Sequence, residues 1–245
     1  MNVVLLGASK GIGRALARAF AERGDRLTLL GRDTADLERS ARDLEARGAP
    51  APVAVVACDL AVPETFAPAL DAAAASLGRI DTVVLTAGAF ATQDALEADP
   101  VLAGRVLDVD FTGSVLFCEE ARKRLLADGG GTLCALSSVA GERVRKPVIL
   151  YGAAKAGLTR YLEGLDHKFR SQGLRVVCVK PGFVKTSMTQ GLKPPPFAGE
   201  PEGVARDVLR AIDRGTPVVY TPGMWRWVMV VIRNLPRLVM RRIGF

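Results

Sequence analysis

Two groups of residues in this sequence have types and spacings that could do chemistry together. Near the start, Gly7-Ala8-Ser9-Lys10-Gly11-Ile12-Gly13 follows a short apolar run and opens an amphipathic stretch. Glycines let backbone approach a ligand closely, and the first N–H groups of a helix suit a diphosphate. Later, Tyr151 and Lys155 stand four residues apart in a helical pattern, which puts a phenol and an ammonium on one face. An ammonium beside a phenol lowers its proton affinity from the ordinary pKa of ~10, so that it can exchange a proton with a bound oxygen. Ser137-Ser138 ends the apolar run before that helix. A lone glycine turn is weak evidence, and a Tyr–Lys pair on a helix is usually structural. Their conjunction is specific.

These residues need a frame that brings them together. Apolar runs at residues 3–6, 26–30, 53–57, 82–86, 132–137, 174–179 and 218–220 alternate with helical patterns at 12–22, 34–47, 63–76, 101–127 and 149–171. Continuous rather than alternating apolar runs mark strands buried on both faces. The expectation is an α/β fold, a single-domain doubly wound sheet of seven parallel strands with helices on both faces. Its domain spans residues 1–221, including a Pro- and Gly-rich segment at 187–203 read as a lid. A basic amphipathic extension, 222–245, completes the same domain. In such a sheet the ligand lies beyond the strand carboxyl ends.

The second strand ends at Gly31-Arg32, where an acidic residue would hold a ribose 2′-hydroxyl and favour NAD. Arg32, with Lys10 nearby, suits a 2′-phosphate, so NADP is expected and NAD is the alternative. The other reading of Arg32 is a surface charge stacked on adenine. Asp59 follows the third strand, beside Leu60, and is placed to bond the adenine amino group. Thr86-Ala87-Gly88 lets backbone pass close to the same cofactor.

GASKGIG, TAG, the thirteen residues from Ser138 to Tyr151, YGAAK and PGFVKT occur here in the order found in the short-chain dehydrogenase/reductases, and the sequence resembles that family over nearly its whole length. The resemblance implies a Rossmann fold and a nicotinamide cofactor. It also implies a carbonyl oxygen bonded by Ser138 and protonated by Tyr151, with Lys155 also holding the nicotinamide ribose. Pro181, Gly182, Val184 and Thr186 fall in the nicotinamide-side turn. Two departures stand out. Leu85-Thr86-Ala87-Gly88 replaces the usual NNAG, and Asp110, in VDFTG, replaces an asparagine that props a water in the proton relay. An aspartate there either bonds the lysine more strongly or slows the relay. Asp110 is therefore counted with Ser138, Tyr151 and Lys155 as a catalytic candidate.

The segment SSVAGERVR and the tail PGMWRWVMVVIRNLPRLVMRRI resemble, within that family, the decaprenylphosphoryl-2-keto-ribose reductases, which reduce the 2-keto group of a lipid-linked pentose. Arg143, Arg145 and Lys146 follow Ser138 on a loop expected to border the pocket and could pair with a phosphate. The plain alternative is a solvated basic loop. After Asp213 no acidic residue occurs, and Arg226, Arg233, Arg237, Arg241 and Arg242 are interleaved with Trp225, Trp227, Met229, Ile232 and Leu235. Such a tail suits an anionic membrane surface, or else an arm packed in an oligomer. Pro236 should end or bend its helix.

The expected function is reduction of a keto group on a lipid-linked or phosphorylated sugar by an NAD(P)-dependent enzyme. The alternatives are a 3-ketoacyl or keto-sphingoid lipid reductase and, from another class, a non-catalytic cofactor-binding scaffold, which only Asp110 favours. The net charge of +7 is not gathered on any nucleic-acid-binding module, so no nucleic acid partner is expected. With 49% apolar and 24% charged residues the chain can fill a core and is not disordered. Four scattered cysteines and one histidine argue for reduced, buried thiols and no metal. The start lacks a signal peptide, and no run reaches the roughly 18–20 apolar residues of a membrane span. A cytoplasmic protein, peripheral at the inner face of the membrane, is expected. The family resemblance implies a homodimer or homotetramer joined through residues 101–127 and 149–171.

Overall fold

All seven apolar runs form strands in the computed structural model, which describes residues 1–50 and 52–243. They are β1 (Asn2–Leu6), β2 (Arg26–Gly31), β3 (Ala54–Ala57), β4 (Thr82–Leu85), β5 (Gly131–Leu136), β6 (Leu174–Pro181) and β7 (Val218–Thr221). They make one sheet in the order β3-β2-β1-β4-β5-β6-β7, and every pairing is parallel. The order reverses between β1 and β4, which opens a crevice beyond their carboxyl ends. Residues 244 and 245 of the expected extension lie outside the described residues.

The period of two along each strand divides the core. Val3 and Leu5 face α1 (Gly11–Glu22), α2 (Thr34–Ala46) and α8 (Pro201–Arg214), packing with Leu16, Phe20, Leu44 and Val208. Val4 and Leu6 face α3 (Phe66–Leu77), α6 (Ser114–Ala127) and α7 (Ile149–Phe169), packing with Phe66, Phe117, Leu158 and Leu162. Continuous apolar strands are thus explained by two buried faces.

Three expectations need correction. The helix expected over 101–127 is interrupted. It is preceded by α4 (Gln93–Ala98), and α5 (Pro100–Leu107) leads into a π-helical turn, Asp108–Gly113, before α6. The Ser114 hydroxyl donates to the Val109 carbonyl across that wide turn, at 2.7 Å. A π turn inserts a residue and re-aims side chains, often at a functional site; here it buries Asp110. Second, the loop segment expected over 187–203 ends at Glu200, because Pro201 opens α8. A proline is tolerated at the first helical position, where its missing N–H would find no partner anyway. Third, α8 itself had no counterpart in the sequence reading. The tail forms α9 (Met224–Asn234) and α10 (Arg237–Arg242), with Pro236 between them as expected.

All four cysteines are free and buried. Among the described residues, no helix is long and apolar enough to cross a membrane.

Candidate active site

A cavity of about 800 Å³ lies at the carboxyl ends of β1, β4 and β5. Its wall at one end is the glycine turn. Gly7 has φ +104°, and a Cβ there would stand 2.5 Å from the Ala87 nitrogen, so only glycine lets the turn close against the end of β4. The Thr86 hydroxyl fastens the same turn through the carbonyls of Leu6 and Gly7, at 3.0 and 3.1 Å. Lys10 is extended at the N-cap of α1 and makes no side-chain cap. That helix start is therefore open toward the cavity, and it fits the diphosphate of a dinucleotide. Ser9, Gly11, Ile12 and Gly13 line this end, as do Asp59, Leu60, Ala87 and Gly88.

Arg32 is exposed at the cavity's rim. The two carboxylates beside it, not singled out by the sequence reading, are already engaged. Asp33 caps α2 by accepting the Asp36 N–H at 2.9 Å, and Asp36 pairs with Arg39 and, at 3.8 Å, with Lys10. Arg32 thus shares the rim with carboxylates that have partners of their own.

At the other end, β5 and α7 supply Ser138, Tyr151 and Lys155. Ser137 ties the two elements together. Its hydroxyl donates to the Lys155 carbonyl at 2.9 Å and shares a 2.6 Å hydrogen bond with Thr159. Gln93, from α4, caps the start of α7 by accepting the N–H groups of Ile149 and Leu150 at 3.0 and 3.2 Å. It was not foreseen, because its partners lie more than fifty residues away. Tyr151 packs edge-on against Phe90, with ring centroids 5.3 Å apart. Lys155 lies beneath, its Nζ 5.7 Å from the Tyr151 ring centre, 3.2 Å from Asp110 Oδ1 and 3.3 Å from the Leu136 carbonyl. Burial pushes the Tyr151 phenol above its ordinary value, and Lys155, Ser138 and Arg145 pull against that rise. Burial alone would pull the Lys155 ammonium down, but Asp110 and Tyr151 outweigh it and hold it above lysine's ordinary value. A buried phenol over an ammonium, with a serine hydroxyl alongside, can pass a proton to an oxygen held between them.

The loop after Ser138 separates the basic residues that had been grouped together. Arg145 lines the cavity; its Nε is buried and has no hydrogen-bond partner among the described residues, and burial pulls its guanidinium below the ordinary value. Arg143, expected to bind substrate, does not line the cavity. Its Nη2 donates to the Leu235 carbonyl at 2.9 Å, where α9 meets α10. Lys146 likewise donates to the Arg241 carbonyl at 2.7 Å. The cause is the tight turn Val139–Gly141, after which Glu142 and Arg143 face the tail while Arg145, extended, points back inward. Glu142 completes the tether, pairing with Arg233 of α9 at 3.0 Å and with the buried Lys180.

The tail therefore builds part of the site. Trp225, Met229 and Ile232 of α9 are buried against Val139, and Trp225 reaches the cavity wall. A Cβ on Gly182 would stand 2.1 Å from the Trp225 indole nitrogen, so glycine at that turn makes room for the ring. The indole N–H donates to the Phe197 carbonyl, in the segment between β6 and α8, at 3.2 Å. The tail is expected on a membrane surface or in an oligomer contact, but Trp225 packs inward within the chain, on the face of α9 that the spacing 225, 229, 232 marks. Pro181, Val184 and Thr186 border the same end of the cavity. Of the residues expected to border the pocket, Arg143 and Lys146 are the ones placed away from it.

Comparison with known proteins agrees with this architecture. Residues 1–196 match the family model described as short chain dehydrogenase. An uncharacterized oxidoreductase of Mycobacterium tuberculosis is 35% identical over 243 residues, covering 98% of this chain and 96% of its own. One of Streptomyces coelicolor is 37% identical over 256 residues, with 99% and 95% covered. Among solved structures, a short-chain type dehydrogenase/reductase from Mycobacterium marinum superposes with a TM-score of 0.82 at 23% identity, covering 96% of this chain and 95% of that one, a likeness of fold.

Proposed function

The chain belongs to the short-chain dehydrogenase family and is a nicotinamide-dependent oxidoreductase, and from that premise we propose that it reduces a keto group on a lipid-linked or phosphorylated sugar presented at an anionic membrane surface. The observation that carries this reading is Arg145, a guanidinium with a buried, unpartnered Nε in the cavity wall beside Tyr151. A buried guanidinium N–H without a partner is costly, and an anionic group on the substrate would satisfy it through a charge-assisted hydrogen bond. The sequence likeness to the decaprenylphosphoryl-2-keto-ribose reductases points the same way, since their substrate joins a ketone to a lipid phosphate.

In this reading Ser138 hydrogen-bonds the keto oxygen and holds it against the Tyr151 hydroxyl. Tyr151 donates the proton as the carbonyl becomes an alcohol. Lys155 orients Tyr151 and a ribose hydroxyl, and the glycine turn with the start of α1 holds the diphosphate. A nicotinamide cofactor supplies the hydride when bound. Arg32, at a rim whose carboxylates are engaged elsewhere, favours the 2′-phosphate of NADP. Arg32→Asp is expected to lower kcat/KM with NADPH by about tenfold or more, with little loss for NADH. Steady-state kinetics with both cofactors check this, and an unchanged preference would remove Arg32 from the reading.

The surface around the mouth supports a membrane partner. Met188, Leu192 and Phe197 of the lid and Trp227, Val231 and Leu238 of the tail are exposed, Phe197 at 57%, Trp227 at 65% and Leu238 at 69%. Arg226, Arg237, Arg241 and Arg242 are exposed in the same tail. Apolar side chains interleaved with arginines suit insertion among anionic headgroups, which would place the protein peripherally at the inner face of the membrane. A ketolipid lacking phosphate, such as a 3-ketoacyl chain or a keto-sphingoid base, would use this surface but leave Arg145 unmatched. Exposed Phe111 and Leu116, in the π turn and α6, suit contact with a second copy of the chain.

The test is NADPH consumption on a lipid-phosphate-linked keto sugar and on a small uncharged ketone, each with anionic or zwitterionic vesicles. Preference for the first substrate, stimulation by anionic vesicles and loss of that stimulation at high salt are expected. Equal kcat/KM on the uncharged ketone, indifferent to vesicles, would overturn the proposal.

A further inference from the structure

The carboxylate that departs from the family pattern sits in the least solvated part of the site. Asp110 has no exposed surface, and Lys155, its partner at 3.2 Å, has 4%. Oδ1 also accepts the Ala89 N–H at 3.1 Å, whereas Oδ2 is buried and meets no donor among the described residues. The π-helical turn Asp108–Gly113 is what carries this side chain inward to the ammonium. We propose that Asp110 is a positioning residue that sets the proton affinity of Tyr151, keeping the phenol protonated and so biasing the site toward reduction. The inference rests on Tyr151 being the proton donor but on no particular substrate.

The effect is one of charge. A lone buried ammonium 4–6 Å from an acid favours the ionised acid by roughly 1–3 pKa units. A carboxylate in contact with that ammonium turns it into a dipole, whose field at the phenol is far weaker. The carboxylate also repels a phenolate directly. An asparagine in the same place would keep the shape and the Ala89 bond but leave the ammonium uncompensated. The burial that lifts the Tyr151 phenol is therefore opposed by Lys155 and reinforced by Asp110. Burial also lifts the Asp110 carboxyl itself, against the pull of Lys155 and of the Ala89 N–H; the other charged or titratable groups facing the pair do not cancel its effect on Tyr151. Arg145 and the Ser138 hydroxyl favour the phenolate. Cys178 and Cys118, near Lys155, are neutral, burial having pushed their thiols up to about 11 and about 12. A substrate anion paired with Arg145 would remove that residue's opposing pull as well.

The consequence is directional. Reduction needs the protonated phenol and oxidation needs the phenolate. A raised Tyr151 leaves reduction flat through neutral pH, to fall only in the alkaline range, while alcohol oxidation climbs with pH. The experiment is a tyrosinate absorbance titration of the full-length protein, with the Tyr151→Phe titration subtracted to remove Tyr161 and Tyr220, repeated in an Asp110→Asn background. The wild-type midpoint is expected at or above the ordinary phenol value of ~10. In Asp110→Asn it should be lower by about one unit or more, with the alkaline limb of reduction and the rise of oxidation shifting by the same amount. A wild-type midpoint near neutrality, or a well-folded Asp110→Asn protein with an unmoved midpoint, would overturn the inference. The wild-type titration needs no change at Asp110, so a midpoint near neutrality overturns the inference even if that variant misfolds. It is read without substrate, so a wrong substrate class fails separately.

Discussion

Tyr151→Phe is expected to lower ketone reduction by roughly 10²–10⁴-fold in kcat while leaving cofactor affinity nearly unchanged. The change removes one hydroxyl and keeps the ring, so the edge-on packing against Phe90 survives and the start of α7 remains capped by Gln93. What disappears is the acid. Ser138 can still bond the keto oxygen, but a serine hydroxyl has neither a neighbouring ammonium nor a proton it readily gives up. Single-turnover oxidation of NADPH measures the loss in the chemical step, and quenching of cofactor fluorescence measures binding. Retained turnover would mean that another group, or water, delivers the proton.

Arg145→Ala is expected to reduce kcat/KM for a phosphorylated keto substrate by roughly 10- to 100-fold, the worth of one or two charge-assisted hydrogen bonds in a dry site. For a small uncharged ketone the change should be within a few-fold. Arg145→Lys should recover only part of the loss, because an ammonium lacks the planar fork that grips a phosphate. Arg143→Ala makes the contrast. It breaks the tie to the Leu235 carbonyl, so it should loosen α9 and α10 and lower activity on both substrates alike. Rates on the charged and uncharged ketones across these three variants check the assignment. Equal losses on both substrates in Arg145→Ala would show that this residue supports structure and does not read charge.

Much of the frame was legible because doubly buried strands are written as unbroken apolar runs, and the seven of them fell where the structure has β1 to β7. The glycine turn and the Ser138, Tyr151, Lys155 set were equally legible, since short-range spacing determines where those side chains point. What failed depended on longer-range facts. Asp108–Gly113 reads as ordinary helix because a π turn changes the helical phase by one residue without any marker in composition. α8 was hidden by Pro201 and Gly203, which look like loop even though a first-turn proline is compatible with a helix. Arg143 and Arg145 differ only in the direction a turn sends them, and nothing local distinguishes them. The spacing of Trp225, Met229 and Ile232 marks one face of a helix, but nothing local says what that face packs against; the gap at Gly182 decides it.

The most direct measurement is a crystal structure of the protein with NADP and a phosphorylated or lipid-linked alcohol product. The new hydroxyl oxygen is expected within hydrogen-bond reach of both Ser138 Oγ and the Tyr151 hydroxyl, with the phosphate on the guanidinium of Arg145. A product lying with its phosphate elsewhere, and its hydroxyl turned from Tyr151, would contradict it.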